Sequence, residues 1–384
     1  MKKYYKFGYS RFGPFLYGFV RWLKNELVKK GYDKVFFFSR DGYMMKKAFD
    51  IINDTGIQAE YAYFSRKSLR APLLHSCTDF EDSLKYLSWE RYISFGKLLE
   101  YYGFDKAESS DIVARGGFEL GDCIAFDSIM SNAAARRIYE ENRDTIISRS
   151  LEQDRLLTEY TGQLGMRGRF AIVDIGWHGN MQYYLEQFAL THGLGVQFEG
   201  FYIGIDPVKK LGTTVNGYLF DSSDMRNRKR LLCFFGGYEK LLQSFEGSAS
   251  GYAGAEDGRI VPVLMPYEYE GDQWIQKAVK SWQYGALRFV KKACETGLAD
   301  SDRQLTEPLI RFGMKPTVRD TELFSFFYIT DGTKVYFTAQ KPLFRYTPKE
   351  FLHALSDSSW KTGFMRSAFR LPLPYYQIYR LLRK

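Results

Sequence analysis

The sequence predicts an α/β protein built on a parallel β-sheet. Two short, continuously apolar runs, Lys34–Ser39 and Arg169–Asp174, have the composition of strands that are buried on both faces. Two further strand-like runs, Gln58–Phe64 and Val196–Gly204, follow them after helical stretches. Strands that alternate with helices form βαβ units, in which the strands are parallel. We therefore expect a Rossmann-like sheet.

The predicted helices have recognisable ends. Residues Gly13–Lys30 carry an amphipathic pattern, with Pro14 near the start and Gly31 after the end. Two more helices are expected, over about Tyr43–Asn53 and about Met181–Thr191, each directly after a buried strand. This order places a helix after the first and third strands.

The region between the second and third strands is longer than a simple connection. Residues 79–163 are predicted to be mostly helical, because 87–102 and 130–160 carry apolar residues at three- and four-residue spacing. We expect a large helical insertion over the sheet. The chain then divides into an α/β catalytic domain, residues 1–265, and an α-rich C-terminal region, residues 266–384.

Composition narrows the class of protein. The 384-residue chain has a net charge of +9, which favours phosphates, nucleic acid or anionic lipid as partners. It has no long Lys/Arg block and no zinc-finger or RRM motif, so we expect no nucleic-acid partner. Its four cysteines are widely spaced, as is typical of a reducing compartment. Without a visible signal peptide or an apolar run of about 18 residues, a cytoplasmic location is expected.

The turn after the first strand, Ser39-Arg40-Asp41-Gly42, is a candidate anion site. Backbone N–H groups at a helix start, together with a glycine turn, favour phosphate, and Arg40 can add a bidentate contact. Asp41 would then order a metal or act as a general base. The alternative is an ordinary turn in which Asp41 caps the helix.

Basic residues follow the second strand at Ser65, Arg66, Lys67 and Arg70. Three cations just past a strand end can hold a pyrophosphate. A solvated basic loop would have the same composition. Because neighbouring parallel strands end at the same edge of a sheet, we expect these residues to lie beside the first turn.

The third strand ends in Asp174, where burial gives no reason for an acid. The following residues, Ile175-Gly176-Trp177-His178-Gly179-Asn180, contain two glycines that allow backbone N–H groups to wrap a phosphate. Asn180 is expected to cap the next helix. Trp177 either stacks on a ring or packs in the core. His178 is an acid/base, a phosphate donor or a structural residue.

Two further acids are candidates for binding or deprotonating a group on a substrate that accepts a transferred group. Glu239 and Glu246 lie seven residues apart, which puts them on one face if a single helix covers both. They either bind or deprotonate an acceptor group or are surface acids.

Four stretches resemble a domain of bacterial surface-polysaccharide proteins that are often described as hydrolases of the haloacid dehalogenase type. They are VFFFSRDGYMM (Val35–Met45), YFSRKSLRAPLL (Tyr63–Leu74), IVDIGWHGNMQ (Ile172–Gln182) and YEKLLQSFEGSASGY (Tyr238–Tyr252). The resemblance covers roughly residues 8–263. Such hydrolases need a strand that ends in DxDxT. Here the strand ends in Ser39–Gly42, and the only close DxD, Asp300–Asp302, lies in a polar loop.

The layout is also similar to that of phosphoribosyltransferases. In those enzymes a pyrophosphate loop follows the first strand, as at Ser39–Gly42, and basic residues follow the next, as at Ser65–Lys67. A later strand ends in an acid and a glycine-containing loop that holds the ribose 5-phosphate, as at Asp174–Asn180. The family loop has two adjacent acids and Thr-Gly, whereas this chain has one acid and Gly-Trp-His-Gly.

This resemblance implies a phosphoribosyltransferase-like fold and an activity. The enzyme would move a 5-phosphoribosyl group from phosphoribosyl pyrophosphate to a sugar hydroxyl of a glycan or lipid-linked acceptor, in capsule or O-antigen synthesis. A separate phosphatase would then remove the 5-phosphate. The alternatives are a phosphatase or hydrolase, and a non-catalytic module that binds a nucleotide sugar or a glycan.

The resemblance also implies roles for the candidate residues. Mg²⁺ held by Asp41 and Asp174 would stabilise the departing pyrophosphate, and the sugar would pass through an oxocarbenium-like state. Asp41 or Asp174 would orient the ribose hydroxyls. One of Asp41, Glu239 or Glu246 would deprotonate the acceptor. Gln182, in the third matching stretch, is a further substrate-binding candidate.

The last segment, Lys361–Lys384, has six basic residues among aromatic and apolar ones and no acid. Such a segment can lie on anionic lipid, which would make the protein peripheral to a membrane. Alternatively, it is a terminal helix that packs on the domain.

Overall fold

The computed structural model of the protein describes residues 1–88, 90–331 and 333–382. Its α-helices are α1 (Lys2–Phe7), α2 (Gly13–Lys30), α3 (Gly42–Ile52), α4 (Arg66–Arg70), α5 (Phe80–Ser83), α6 (Phe95–Tyr101), α7 (Lys106–Arg115), α8 (Ala133–Gln163), α9 (Asn180–Thr191), α10 (Arg228–Leu232), α11 (Phe235–Leu242), α12 (Gln273–Glu295), α13 (Asp302–Met314), α14 (Val318–Leu323), α15 (Pro348–Asp357), α16 (Lys361–Phe369) and α17 (Tyr375–Leu382). The strands are β1 (Lys34–Phe38), β2 (Gln58–Ala62), β3 (Tyr92–Ser94), β4 (Cys123–Ala125), β5 (Arg169–Trp177), β6 (Gln197–Ile205), β7 (Val215–Phe220), β8 (Ala249–Gly254), β9 (Ile260–Leu264), β10 (Tyr328–Asp331) and β11 (Thr333–Tyr336).

The central sheet is parallel throughout, with the strand order β2-β1-β5-β6-β7. The predicted α/β class with a Rossmann-like parallel sheet is therefore confirmed. Side chains alternate along β1: Val35 and Phe37 face one core, and Phe36 and Phe38 face the other. Because both faces are covered, every position of the strand must be apolar, which explains the continuous run.

Helix α2 ends at its sequence signals, with Pro14 in its first turn and Gly31, at a φ of 68°, directly after its end. Helices α2 and α3 pack together beneath the sheet, and α12 packs against both. Trp282 of α12 is fully buried against Tyr4 of α1. The hydrophobic core therefore includes residues from both sides of residue 265. The domain boundary predicted at that residue stays a prediction.

The inserted region between β2 and β5 is mostly helical, as expected, and its longest element is α8. The apolar spacing of residues 87–102 indicated helix, but in the described part of that range, which excludes Trp89, only Phe95–Tyr101 is α-helical. Tyr92–Ser94 pairs with Cys123–Ala125 as a small antiparallel sheet. The helix begins only afterwards, because the Ser94 hydroxyl caps α6 by accepting the N–H of Lys97 at 3.2 Å.

Several strands carry too weak a pattern for the sequence to predict them. The edge strand β7 contains Asn216 and Gly217 and is only partly buried, and β8 and β9 form a separate hairpin. Strand β5 is also longer than predicted. It continues past Asp174 to Trp177, because Gly176 pairs with β6 at Gly204. The residues after Asp174 are therefore partly strand rather than loop.

The C-terminal region is rich in helix, as predicted, and its tail forms α16 and α17. Buried side chains in this tail include Phe364, Met365, Tyr375 and Tyr379. Its inward face thus packs on the rest of the protein, while Arg383 and Lys384 lie outside the described residues. Among the helices that the structure describes, none combines the length and apolar character needed to cross a bilayer.

Candidate active site

A cleft with a volume of about 1650 Å³ opens at the carboxyl ends of β1, β2 and β5. Because parallel strands end at one edge of the sheet, the turns that follow them come together there. The cleft is lined by most of the residues that the sequence singled out: Ser39, Arg40, Asp41, Ser65, Arg66, Lys67, Arg70, Asp174, Gly176, Trp177, His178, Gly179, Asn180, Gln182 and Glu239. Two chain segments that are more than a hundred residues apart thus share one site.

The turn after β1 holds Asp41 at the edge of this cleft. The hydroxyl of Ser39 donates a hydrogen bond to the carbonyl of Phe64 at 3.0 Å, which fixes the turn to the end of β2. Asp41 occupies the N-cap position of α3, but its side chain makes no capping hydrogen bond. The capping alternative is therefore wrong, and the carboxylate is free for the cleft. The peptide bond between Ser39 and Arg40 is cis.

Gly42 does not line the cleft. A Cβ atom at this position would lie 2.9 Å from the backbone carbon of Phe37. Glycine therefore lets the start of α3 approach β1 closely, and this approach brings Asp41 to the sheet edge.

The basic segment after β2 is a short helix, α4, rather than the expected loop. Ser65 caps it by accepting the N–H of Ser68 at 3.0 Å. The same hydroxyl donates to the carbonyl of Ala249 in β8 at 2.6 Å. Ser65 therefore anchors the helix that presents the neighbouring cations to the cleft.

The three cations of this helix differ in their partners. Lys67 lies 3.9 Å from Glu100, and the guanidinium of Arg70 stacks over Tyr101 at 4.4 Å from the ring centre. Arg66 is exposed and forms no salt bridge with any described residue. Arg66 is thus the cation of α4 that is most available to an anionic ligand.

The segment after Asp174 has a backbone that only particular residues tolerate. Gly176 has a φ of 106°, and a Cβ atom there would lie 2.3 Å from the carbonyl oxygen of Gly204. Trp177 also has a positive φ, of 64°. Glycine at position 176 is therefore required both by its conformation and by the close approach of β6.

Helix α9 begins one residue earlier than predicted. Gly179, with a φ of 68°, is the N-cap residue, and Asn180 is the first residue of the helix. No side-chain hydrogen bond caps this helix. The expectation that Asn180 caps this helix was wrong, because Gly179 makes the turn instead. His178 is exposed at the rim of the cleft. Gly179 and Asn180 at the start of α9 line the cleft, whereas at the start of α3 only the N-cap residue Asp41 does.

Gln182 is fully buried and is already engaged in an internal network. Its amide accepts a hydrogen bond from Tyr202 and donates one to Thr213, each at 2.5 Å. The amide thus holds α9 against β6. Its contribution to ligand binding would be to support the loop rather than to offer a free hydrogen-bonding group.

Three carboxyl groups lie close enough in the cleft to perturb each other. Burial raises the pKa of Asp41 well above its ordinary value, and Glu239 and Asp174 raise it further. Burial likewise raises the pKa of Asp174, to about 6, although it accepts the N–H groups of Ile175 and Gly176. The pKa of Glu239 is raised by burial too. Like charges in a low-dielectric site favour the protonated forms.

Basic side chains oppose this effect from the surrounding wall. Arg40 and Arg66 each favour the ionised form of Glu239 and so lower its pKa. Lys240 does the same from the next position of α11, where burial in turn lowers the pKa of Lys240. The ammonium of Lys240 forms a buried salt bridge with Glu268. The sequence did not single out Lys240, because a lysine beside a glutamate usually indicates a solvated surface.

Glu246 lies outside this carboxyl cluster. The prediction that it shares a helical face with Glu239 was wrong, because α11 ends at Leu242. The side-chain amide of Gln283, on α12, donates to the carbonyl of Gln243 at 2.8 Å and takes the place of a further helical turn. Glu246 accepts a hydrogen bond from Tyr61 at 3.0 Å, and it does not line the cleft.

The carboxyl cluster was tested for its fit to Mg²⁺. In the described parts of the chain, no three His, Cys, Asp or Glu side chains are placed to hold a metal by themselves. Mg²⁺ usually retains water and binds through one or two carboxylates together with substrate phosphates. Asp41 and Asp174 both line the cleft and lie close enough for Asp174 to raise the pKa of Asp41, whereas Arg40 and Lys240 lower it. The pair therefore fits an ion that binds together with a phosphate ligand.

Comparison of the chain with protein-family models and with curated proteins gave no match. The fold and the site define an α/β protein with a large cleft at the carboxyl ends of its parallel strands, where the strand order reverses. That cleft combines the start of α9, a cluster of carboxyl groups, and Arg40 and Arg66, which form no salt bridge with any described residue.

Proposed function

We propose that the protein transfers a 5-phosphoribosyl group from phosphoribosyl pyrophosphate to a sugar hydroxyl in the synthesis of a bacterial surface polysaccharide. One observation carries the proposal: Arg40 and Arg66 share a single cleft with Asp41, Asp174 and Glu239. A phosphorylated sugar donor needs both kinds of group. Cations bind its phosphates, and carboxylates act at its sugar carbon.

The donor would bind through its two phosphate-bearing ends. The pyrophosphate would lie between the Ser39–Asp41 turn and Arg66, where the guanidinium groups of Arg40 and Arg66 favour negative charge. The 5-phosphate would lie at the start of α9, beside Gly179 and Asn180, which line the cleft and have no preceding helical turn to accept their N–H groups. The ribose carbon between them would then face the carboxyl cluster.

The reaction would break the bond between the ribose anomeric carbon and the pyrophosphate oxygen, and the acceptor hydroxyl would form the new bond. Positive charge develops on the sugar in such a reaction, and a carboxylate beside it lowers the barrier. The hydroxyl proton would pass to Glu239 or Asp41. A raised pKa suits a general base that must accept a proton near neutral pH.

Mg²⁺ would be held by Asp41 and Asp174, jointly with the donor. When bound, it would supply positive charge to the leaving pyrophosphate. Asp174 would also orient the ribose hydroxyls, since it is fixed by the two N–H groups that follow it in the chain. These roles leave Glu239 as the acid nearest to Lys240 and available to the acceptor.

A phosphatase is the less supported alternative. The only close DxD of the chain, Asp300–Asp302, does not line the cleft, and Asp302 pairs with Arg21 at 3.0 Å. Asp41 follows a strand, but no second acid stands two residues after it. With p-nitrophenyl phosphate and Mg²⁺ we expect no release of phosphate, and rapid release would favour the phosphatase.

Location at a membrane surface belongs to the same proposal. The inward face of the tail is occupied by packing, so only its outer basic face would contact anionic lipid. Flotation with anionic liposomes, with and without residues 361–384, tests this contact. Equal flotation of both proteins would exclude the tail as the cause.

Titration calorimetry with phosphoribosyl pyrophosphate and Mg²⁺ tests the donor. Arg66→Gln should weaken binding about tenfold, because it removes one charge-assisted hydrogen bond to a phosphate. Arg303→Gln is the matched control, since Arg303 is exposed on α13 and does not line the cleft. It should bind like the unmodified protein. Binding of nucleotide sugars in place of phosphoribosyl pyrophosphate would contradict the proposal.

A further inference from the structure

The cleft is larger than one donor molecule requires. Small-molecule sites usually enclose about 300–1,000 Å³, and this cleft has a volume of about 1650 Å³. Residues of the C-terminal region line this cleft in addition to the residues at the sheet edge. They include Tyr267, Thr330, Thr333, Asp357, Ser359 and Tyr379. We refer to these six residues as the C-terminal wall.

The chemistry of this wall differs from that of the sheet edge. From residue 241 onwards, the described residues that line the cleft include no lysine or arginine. They contribute hydroxyl groups, the carboxyl groups of Glu268 and Asp357, and apolar side chains such as Ile329 and Val335. A phosphate has little to bind there. A neutral ligand with many hydroxyl groups would find both donors and acceptors, and Tyr267 and Tyr379 add aromatic surface.

Ser359 is the residue of the wall that most clearly points to a ligand. It is 3 % exposed, and its hydroxyl forms no hydrogen bond with the described residues. A hydroxyl group that lines a cleft without an internal partner is available to a ligand. The Ser359 hydroxyl lies against Gly236 of α11, where an added Cβ atom would come within 2.4 Å of it. Glu239 lies three residues further on, and therefore on the same face of that helix.

A buried salt bridge fixes the wall to the same helix. Glu268 pairs with Lys240 of α11, and it accepts the N–H of Thr330 on β10 at 2.5 Å. The hairpin of β10 and β11 is thereby tied to the position next to Glu239. A ligand on the wall would consequently lie beside the proposed general base.

We propose that the C-terminal wall is a carbohydrate subsite that holds a neutral sugar of the acceptor, with Ser359 as a specificity-determining hydrogen-bonding residue. This inference rests on the proposed function for the role of the sugar, but the subsite is argued from the hydroxyl and carboxyl groups of a wall without lysine or arginine. Donor and acceptor would then occupy opposite ends of one cleft, with Glu239 between them.

Saturation-transfer NMR with the methyl glycosides of glucose, galactose, mannose and N-acetylglucosamine tests this subsite. At least one should bind the full-length protein, and Ser359→Ala should weaken that binding about fivefold through the loss of one hydrogen bond. Ser356→Ala is the matched control, because Ser356 is exposed in the same segment and does not line the cleft. Thermal unfolding of Ser359→Ala verifies that the variant folds.

Calorimetry on the same variants separates this inference from the proposed donor. Ser359→Ala should bind phosphoribosyl pyrophosphate normally, whereas Arg66→Gln should bind the sugar normally. If none of the four glycosides binds, or if Ser359→Ala binds them unchanged, the subsite is refuted even where the donor binds. If a glycoside binds through Ser359 and the donor does not bind, the subsite stands and the proposed function fails.

Discussion

Replacement of Asp174 by asparagine should stabilise the protein above neutral pH. The carboxyl group of Asp174 is 9 % exposed, and its pKa is raised to about 6, chiefly by burial. Its pKa in an unfolded chain is about 3.9. Because the folded protein holds this proton more tightly, the associated stability is fully present below about pH 4 and is lost as the pH rises through about 6. Raising the pKa by this amount corresponds to about 3 kcal/mol.

Urea unfolding at pH 4 and pH 8 measures this effect. Asp174→Asn should gain about 3 kcal/mol at pH 8 but only about 0.5 kcal/mol at pH 4, where the natural residue is neutral in the folded state and about half ionised in the unfolded chain. Asp111→Asn is the control, because Asp111 lies on the exposed side of α7. It should show no comparable gain at either pH. A loss of stability at pH 8 in Asp174→Asn would refute the reasoning, because it would mean that the carboxylate stabilises the fold.

Two further predictions concern residues that shape the cleft. Gly176→Ala should lower the free energy of unfolding by more than about 3 kcal/mol, because it adds a steric clash to a positive φ. Gly193→Ala, which is also at a positive φ but in open space, should lower it by about 1 kcal/mol. Equal losses in urea unfolding would contradict this prediction. Lys240→Met should cost about 3–5 kcal/mol by leaving Glu268 buried without its cation, and Glu268→Gln in the same chain should restore most of the loss. No restoration would exclude the ion pair as the cause.

Much of the sheet could be predicted from local patterns. The apolar runs at β1 and β5 are continuous because helices cover both faces of the sheet, and each run ends in a polar residue, Ser39 or Asp174. Since the strands are parallel, those polar ends had to meet at one edge. The sequence therefore predicted that the Asp41 turn and the Asp174 segment lie together, without knowledge of the tertiary contacts.

The remaining parts of the site depend on contacts that no local pattern encodes. Lys240 is buried only because Glu268, 28 residues later, folds against it. The spacing of Glu239 and Glu246 could not show that they lie on different elements. The end of α11 depends on a tertiary contact, the hydrogen bond from Gln283 of α12 to the carbonyl of Gln243. The C-terminal wall likewise consists of ordinary polar residues, such as Ser359, that become notable only beside the cleft.

If the Asp41 turn and the Asp174 segment form one site, their carboxylates must be electrostatically coupled. A double-mutant cycle on the free energy of unfolding at pH 8, with Asp41→Asn, Asp174→Asn and the double variant, measures this coupling directly. Because Asp174 raises the pKa of Asp41, removal of either charge relieves part of the same repulsion. The two single gains should together exceed the gain of the double variant by about 1 kcal/mol. Gains that add within about 0.3 kcal/mol would show that the two carboxylates do not share a site.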